Sequence, residues 1–526
     1  MNRIMLHLVE FAQRAPQIAA AAAIFGGFVV YFIYTCFYNI YLHPLRHIPG
    51  SKWAVIGPYL EFYHEVIRDG QYLWEIEKMH QKFGPIIRVN AREIHIRDPE
   101  FYHTIYTAGS RKTNKDPDTV GAFDVPNAMA GTVEHDHHRA RRGYLNSYFA
   151  KRAIAALEPT VHERVSKAFT RIDEHLDENK ILSLDGVFCA LTADVISSRF
   201  YGKHQDYLSI PDFHFVVRDG FLGLTKVYHL ARFLPIIVTT LKRLPYGCIR
   251  MVIPAVADLL VMRDEIKVKG ADEFVASQTS ESKSSVLVGA LANPHIPPHE
   301  RTVDRMLDEG TVVLFAGTET TSRTMCVTMF YLLTHPECLA RLRAELETLP
   351  PSEDYKHSLP ALENLPYLTA VIHEGLRLTF GPISRSSRVA TEQELVYGEY
   401  TIPVGTPVSQ STYFMHSNES IFPDYKKFDP ERFIKAAKEG VNLTKFVTNF
   451  SGGSRMCIGF NMSFAEMYLT LSRVVRQYDF ELFDTTLADV DITHARIVGY
   501  PKAIPGKKEF LGEIRVKVCR KNIATF

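Results

Sequence analysis

The amino-terminal part of the sequence contains a long apolar run that carries no charge. Residues 18–38 read IAAAAAIFGGFVVYFIYTCFY, and tyrosines gather toward the end of the run. At 1.5 Å per residue, a helix of this length spans a bilayer core of about 30 Å, and tyrosines favour the membrane interface. We therefore predict an amino-terminal leader over residues 1–17 and one transmembrane anchor over residues 18–42. A cleaved signal peptide is the alternative, although the run exceeds the usual apolar segment of such peptides.

The sequence after the anchor changes character at once. Residues 43–50 contain two prolines and a glycine, which stop a helix and predict a short stiff hinge. Residues 51–526 then form the folded domain, which is long enough to bury a cofactor. Its apolar residues recur at three- and four-residue intervals from about residue 150 to residue 349, as in amphipathic helices.

Short β-branched runs interrupt the helical pattern. Residues 86–89 and 93–96 predict a hairpin, and residues 395–407 again have the pattern of short strands with turns. The predicted fold class is therefore mainly α with a small β-rich portion.

Composition excludes several classes of protein. Lys and Arg total 60 against 59 for Asp and Glu, which gives a formal net charge of +1 and no field that would recruit nucleic acid. The seven cysteines are odd in number and contain no C-x-x-C pair. This pattern indicates a reducing compartment and argues against a disulfide framework or a structural zinc site.

One cysteine near the carboxyl end lies between glycines. The loop reads Phe450-Ser-Gly-Gly-Ser-Arg455-Met-Cys457-Ile-Gly459. Glycines let the backbone approach closely, so that amide N–H groups can stabilise a thiolate that bonds a metal. Arg455 adds a cation, and Phe450 can form a wall for a flat ligand. The alternative is a buried structural cysteine in a glycine-rich turn.

Residues 302–333 contain no proline and predict one long helix, whose middle reads Ala316-Gly317-Thr318-Glu319-Thr320-Thr321. A mid-helix glycine costs about 1 kcal/mol relative to alanine, so Gly317 requires a packing or functional reason. Small side chains leave space for a ligand, and Glu319 and Thr320 are residue types suited to proton relay. The alternative is a helix-crossing contact at Gly317 with a solvated Glu319.

Together these motifs resemble those of the cytochrome P450 family. F-x-x-G-x-R-x-C-x-G matches the family's haem-binding loop at every defined position, and the long helix matches [A/G]-G-x-[D/E]-T-[T/S]. Glu374-Gly-Leu-Arg377, by itself an ordinary helical ion pair, precedes Arg432 and the cysteine loop in the family's order. The resemblance implies a cytochrome P450 fold preceded by a single amino-terminal transmembrane helix, with haem b (iron protoporphyrin IX) as cofactor.

The resemblance also implies roles for individual residues. Cys457 is expected to be the axial thiolate ligand of the haem iron, which favours O–O cleavage, and Thr320 the oxygen-activating threonine with Glu319 as its acidic neighbour. The other expected cofactor-binding residues are His138, Arg142, Ala316, Gly317, Arg388, Phe450, Gly453, Arg455 and Gly459. The expected structural charge network consists of Glu374, Arg377 and Arg432. His138 stands where many members have tryptophan, a substitution familiar in fungal members.

The implied partners are an NADPH–cytochrome P450 reductase, cytochrome b5 as a further electron donor, the membrane and a hydrophobic small molecule. Arg139 and Arg141 belong either to a solvated basic face or to a docking patch for an acidic reductase, which Lys435 and Lys445 would join. The resemblance places the protein in the endoplasmic reticulum membrane as a single-pass protein with its body facing the cytosol.

Substrate contacts in this family come from segments with little fixed spelling. Phe123, Val313 and Ile383 are expected to line the pocket, and the apolar stretches between residues 221 and 255 are either a lipid-facing entrance or ordinary core. Much of the body is similar to fungal trichodiene-oxygenase-like monooxygenases of secondary metabolism. Terpenoid, polyketide or alkaloid intermediates are therefore the expected substrates.

The activity that the resemblance implies is a haem-thiolate monooxygenase, which inserts one oxygen atom from O₂ by hydroxylation or epoxidation. Two alternatives stay open. One is a haem-thiolate isomerase or dehydratase that acts without O₂, and the other is a non-catalytic haem-binding membrane protein. The presence of Glu319 and Thr320 argues against both alternatives. An isomerase or dehydratase needs no proton relay, and a non-catalytic protein could lose these two residues without penalty.

Overall fold

The structure is a computed structural model that describes residues 16–109, 111–202, 205–213, 216–241, 243–254, 256–257, 260–261, 264, 286–502 and 512–520. The predicted leader lies almost entirely outside the described residues. In chain order the α-helices are α1 Pro16–Phe37, α2 Lys52–Val55, α3 Tyr59–Phe62, α4 Tyr72–Phe83, α5 Tyr102–Ile105, α6 Pro117–Gly121, α7 His135–Gly143, α8 Asn146–Phe149, α9 Lys151–Ala155, α10 Glu158–Asp177, α11 Leu184–Tyr201, α12 Val216–Phe233, α13 Pro235–Leu241, α14 Tyr246–Val252, α15 Val286–Leu291, α16 Val303–Thr334, α17 Pro336–Leu346, α18 Leu359–Glu363, α19 Pro366–Thr379, α20 Thr412–His416, α21 Glu431–Lys438 and α22 Phe460–Gln477. The strands are β1 Ile86–Arg88, β2 Ile94–Ile96, β3 Thr113–Lys115, β4 Leu182–Ser183, β5 Arg388–Ala390, β6 Leu395–Tyr397, β7 Tyr400–Ile402, β8 Pro407–Ser409, β9 Tyr478–Leu482, β10 His494–Ala495, β11 Gly499–Tyr500 and β12 Arg515–Arg520.

The first helix carries the predicted anchor. Most of α1 is exposed, and the chain continues as a π-helix over Tyr38–Leu42. Within the described part of the chain, residues 20–42 are the one segment long and apolar enough to cross a membrane. This exposed apolar helix is consistent with membrane anchoring.

The proline-rich segment after the anchor packs against the body. Leu45 and Ile48 are buried in a hydrophobic cluster that includes residues of β1 and β2. Arg88 on β1 donates a hydrogen bond from Nη1 to the carbonyl oxygen of Asn39 at 2.7 Å. The backbone N–H of Arg88 also donates to the carbonyl oxygen of Pro49 at 2.7 Å. The predicted hinge and the end of the predicted anchor are therefore both attached to the body.

The small β-rich portion is centred on a five-stranded sheet in the order β1-β2-β8-β5-β3. β1 and β2 form the predicted hairpin, with Ile86 opposite Ile96. β2 and β8 are parallel, whereas β5 is antiparallel to both β8 and β3. The strands predicted over residues 395–407 are confirmed as the β6–β7 hairpin and the start of β8.

Helices form the main core, as predicted. Buried residues of α10, α11, α16, α19 and α22 form one large hydrophobic cluster. The long helix α16 has 32 residues, or about 48 Å at 1.5 Å per residue. The Oγ1 atom of Thr302 accepts the N–H of Arg305 at 3.2 Å and caps its start. This helix crosses the core and positions the site described next.

Candidate active site

A large cavity lies between the middle of α16 and the cysteine loop. Its volume is about 570 Å³, within the range of about 300–1,000 Å³ that is typical of ligand sites. The predicted site residues that line it are Phe123, Val313, Ala316, Gly317, Thr320, Arg388, Phe450, Arg455, Cys457 and Gly459. Among the described residues, the lining omits His138, Arg142, Glu319, Ile383 and Gly453.

The cysteine loop has the close backbone packing that its glycines predict. The N–H of Cys457 donates to the carbonyl oxygen of Phe450 at 2.8 Å, and the N–H of Gly459 hydrogen-bonds the Cys457 sulfur. Gly453 has a φ of +71°, and a Cβ there would lie 2.2 Å from the carbonyl oxygen of Thr107. The loop therefore requires glycine at position 453 for both conformation and space.

We expect Gly453→Ala to prevent stable folding of the loop. Gly440 is a matched control, because it also has a positive φ, +75°, but has no atom within 4 Å of the Cβ position. Gly440→Ala should cost only the conformational strain of about 1–2 kcal/mol. Gly453→Ala adds the collision with Thr107, so it should lose most of the cofactor-loaded protein, measured as haem per polypeptide. Equal loading of the two variants would contradict this reason for the glycine.

The environment of Cys457 opposes a bare thiolate. Burial raises the pKa of the thiol, and the Gly459 N–H and the Arg142 guanidinium only partly offset that effect. Arg142 lies beside the loop, where its Nη1 donates to the carbonyl oxygen of Met456 at 2.6 Å. A thiol in such a place becomes a thiolate when it bonds a metal ion, because the metal supplies the missing positive charge.

The charges around the cavity fit a cofactor with two carboxylates. Lys115 on β3 lies directly opposite Arg388 on β5, and both residues line the cavity together with Arg455. Like charges opposite each other destabilise a sheet, and in the described part of the chain none of the three has a salt-bridge partner. The Nε atom of Arg455 is buried without a hydrogen-bond partner there. Haem propionates would neutralise this cluster, so the residues fit haem.

The same excess of positive charge affects the pKa of His138. The side chain is buried on α7. Burial and then the cations Arg455, Lys115, Arg142 and Arg388 lower the pKa of His138 to about 2. The histidine is therefore neutral, and it lies close to the cation cluster without lining the cavity.

The middle of α16 combines packing with access to the cavity. A Cβ at Gly317 would lie 2.6 Å from Cδ1 of Ile196 on α11, so the glycine permits a close helix crossing and also lines the cavity. The hydroxyl of Thr320 donates to the carbonyl oxygen of Ala316 at 2.7 Å. Glu319 is 5% exposed, so the interpretation of a solvated carboxylate at this position is wrong.

Glu374, Arg377 and Arg432 meet in one buried network. Arg377 donates from Nε and Nη2 to the two carboxylate oxygens of Glu374, each at 2.7 Å. Arg432 donates from Nε to Glu374 at 3.1 Å, and the N–H of Asp429 donates to the same oxygen at 2.8 Å. The side chains of Glu374 and Arg377 are both 0% exposed, so the surface-pair interpretation of this motif is wrong.

Two predicted positions need correction. Ile383 is fully buried in a cluster with residues of α4 and lies outside the lining of the large cavity, whereas its neighbours Pro382 and Ser384 belong to that lining.

Arg141 is buried and pairs with Glu300 at 3.0 Å. It therefore cannot contribute to a docking surface.

The cavity is also lined by one lysine and two glutamates that were not predicted from the sequence. Lys115, Glu309 and Glu466 all line it. Burial lowers the pKa of Lys115 to about 7 and raises the pKa of Glu309 to about 7. Burial also raises the pKa of Glu466 well above its usual range. No local motif distinguishes these residues, because only the tertiary fold brings them to the cavity.

Comparison with known proteins agrees with this geometry. The family model described as cytochrome P450 matches residues 48–504. Cytochrome P450 monooxygenase TRI4 of Fusarium sporotrichioides is 69% identical over 505 residues, which cover 96% of this chain and 97% of the relative. TRI4 of Trichoderma arundinaceum is 67% identical over 517 residues, covering 98% and 100%. SAT11 of Stachybotrys chartarum, also named a cytochrome P450 monooxygenase, is 69% identical over 492 residues, covering 94% of each chain. The chain therefore belongs to the cytochrome P450 family and is a monooxygenase of that family.

Proposed function

We propose that this monooxygenase inserts oxygen into a hydrophobic intermediate of fungal secondary metabolism, and that Cys457 is the residue that would hold its haem iron. The observation that carries the proposal is one largely apolar cavity that contains both the Cys457 sulfur and a cluster of cations without carboxylate partners. Haem, when bound, supplies the activation of O₂. A terpenoid, polyketide or alkaloid skeleton suits a cavity lined by residues such as Phe123 and Val313.

The residues of the chain have separate tasks in this proposal. Arg388, Arg455 and Lys115 would hold the haem propionates through charge-assisted hydrogen bonds. The apolar wall orients the substrate and excludes water from it. Thr320 carries a proton on Oγ1 at the cavity surface, and this hydroxyl can turn from the Ala316 carbonyl toward the cavity. Glu319, one residue away in the helix, is the proposed acidic neighbour.

Electrons come from NADPH through a partner reductase, with cytochrome b5 as a further donor. Arg139 on α7, Lys435 on α21 and Lys445 are exposed, and we assign them to the docking surface without Arg141. The apolar α1 supports residence in the endoplasmic reticulum membrane, with the body on the cytosolic side where the reductase acts.

The test is a reconstituted reaction. Full-length protein in lipid vesicles, with a P450 reductase and NADPH, is incubated with a panel of apolar terpenoids under ¹⁸O₂. The expected product carries one ¹⁸O atom and needs NADPH. Rearrangement of a hydroperoxide without NADPH or O₂ would instead support an isomerase or dehydratase, and no consumption of any substrate by haem-loaded protein would support a non-catalytic role.

Thr320→Val should separate electron transfer from oxygenation in the same assay. Valine keeps the shape of the side chain but removes the hydroxyl, and positioned proton donors typically contribute about 10²–10⁴-fold to a rate. We expect product formation to fall by about 100-fold while NADPH oxidation continues and yields peroxide. Thr334→Val, at the far end of α16, is the control, because its hydroxyl also bonds carbonyl groups of its own helix but Thr334 does not line the cavity. An unchanged ratio of product to NADPH in the Thr320 variant would remove this role.

A further inference from the structure

Glu309 is a buried carboxyl at the wall of the large cavity. It lies on α16 about two turns before Ala316, is 0% exposed and belongs to the cavity lining. One oxygen, Oε2, accepts the N–H of Met129 at 2.8 Å. The other, Oε1, is buried and has no hydrogen-bond partner among the residues that the structure describes. A buried acceptor without a partner typically costs about 1–3 kcal/mol, so this oxygen needs a hydrogen-bonding group from elsewhere.

Each charged group near Glu309 has a partner elsewhere, although Arg305 also keeps two N–H groups, Nε and Nη2, without a hydrogen-bond partner among the described residues. Asp308, the preceding residue, accepts the N–H and the side-chain amide of Asn127 at 3.0 and 2.9 Å. Arg305 pairs with Glu300. Lys115, across the cavity wall, donates to the carbonyl oxygen of Ala130. No hydrogen bond joins Arg305 to Glu309 in the described part of the chain, so Oε1 is left for a group that enters the cavity.

The surroundings restrict the chemistry of such a group. Val312 and Val313 follow Glu309 along α16 and line the cavity. Phe123 and Val125 also line it, and they lie on the loop that is hydrogen-bonded to Asp308 and Glu309. The wall beside Glu309 is mainly apolar, and its other polar groups include Thr311 and Lys115. Such a wall suits a ligand that carries a polar group on an apolar skeleton. A hydroxyl group meets this requirement in either protonation state of Glu309, because it both donates and accepts hydrogen bonds.

We propose that Glu309 is the polar anchor of the substrate cavity and binds the hydroxyl group of an otherwise apolar ligand. The inference rests on the proposed function only in taking this cavity as the substrate site. It makes Glu309 a residue that determines specificity: it orients the ligand relative to the middle of α16 and does not take part in the chemistry.

The test compares two probes that differ in a hydroxyl group. Equilibrium dialysis of full-length, haem-loaded protein measures the Kd of α-cedrene, a hydrocarbon, and of cedrol, an alcohol of the same skeleton type. The ratio of the two constants is then compared between wild type, Glu309→Met and Glu309→Gln. Because each protein binds both probes, differences in folding cancel in the ratio.

We expect Glu309→Met to reduce the preference for cedrol by about tenfold or more, which corresponds to the loss of a hydrogen bond to a charged or polar partner. The affinity for α-cedrene should stay within about threefold. Glu309→Gln keeps an acceptor for Met129 and a donor for the ligand. Its preference for cedrol should therefore lie between the preferences of the wild type and Glu309→Met. Thr311→Val is the matched control and should keep the wild-type ratio, because Thr311 also lines the cavity but its hydroxyl donates to the Leu307 carbonyl at 2.7 Å.

Two results would overturn the proposal. An unchanged ratio in Glu309→Met, with both affinities also unchanged, would mean that water, a proton or Arg305 satisfies Oε1. An equal loss of affinity for both probes would mean that Glu309 only fastens the Met129 loop. Failure of the proposed function would be separate, since it would appear as absent ¹⁸O incorporation by the wild type whatever the binding ratio.

Discussion

Cys457→Ser should abolish the strongly red-shifted Soret band of the reduced carbon monoxide complex. That band depends on a thiolate bonded to the haem iron, and a serine hydroxyl does not replace the electron donation of sulfur. Because the sulfur lines the cavity and accepts the N–H of Gly459, the change removes the ligand and leaves the loop glycines in place. Monooxygenation should fall to the background rate in the same preparation.

Cys248→Ser is the matched control for this experiment. Cys248 is exposed and lies on α14, so its replacement removes one thiol without reaching the cavity. The control should keep both the band and the activity. A red-shifted band that persists in Cys457→Ser, or that is missing from folded, haem-loaded wild type, would show that another group is the ligand, and the proposed function would fall with it.

Glu374→Gln should have the largest effect on stability. The variant keeps the shape of the side chain but leaves the buried guanidinium groups of Arg377 and Arg432 without their carboxylate. Breaking a buried ion pair in this way costs about 3–5 kcal/mol, a large part of the 5–15 kcal/mol that typically separates folded from unfolded protein. We expect a lower urea midpoint and little cofactor-loaded protein on expression.

Asp136→Asn provides the comparison for that measurement. Asp136 pairs with Lys112 at 2.8 Å, but both side chains are largely exposed, and such pairs contribute little. The urea midpoint of this variant should match the wild type. If Glu374→Gln were as stable as Asp136→Asn, the buried network would not be a determinant of the fold.

The sequence was most informative where chemistry depends on residues close together in the chain. The cysteine loop, the long helix and the β1–β2 hairpin each lie within one local segment, so the spacing of their residues is enough to predict them. Ile383 shows the limit of this reasoning. The segment was identified correctly, but which of three successive residues faces a cavity depends on the orientation of the chain, and it is Pro382 and Ser384 that do so.

Long-range partners were beyond any local pattern. Lys115 opposes Arg388 only because β3 pairs with β5 in one particular register, and registers are set by the packing of whole sheets. Arg141 likewise looked like one member of a basic run until the fold brought Glu300 to it. The cation cluster and the buried carboxyl of Glu309 therefore become visible only in three dimensions.

The contact between Arg88 and Asn39 sets a practical limit on shortening the protein. The guanidinium of Arg88 is buried and uses the Asn39 carbonyl, while Leu45 and Ile48 cover the strands beside it. A water-soluble form that starts at Gly50 would uncover that apolar surface and leave Arg88 without one of its acceptors. The better starting point is just before Asn39, which removes most of the apolar helix and keeps every residue that seals this edge of the sheet.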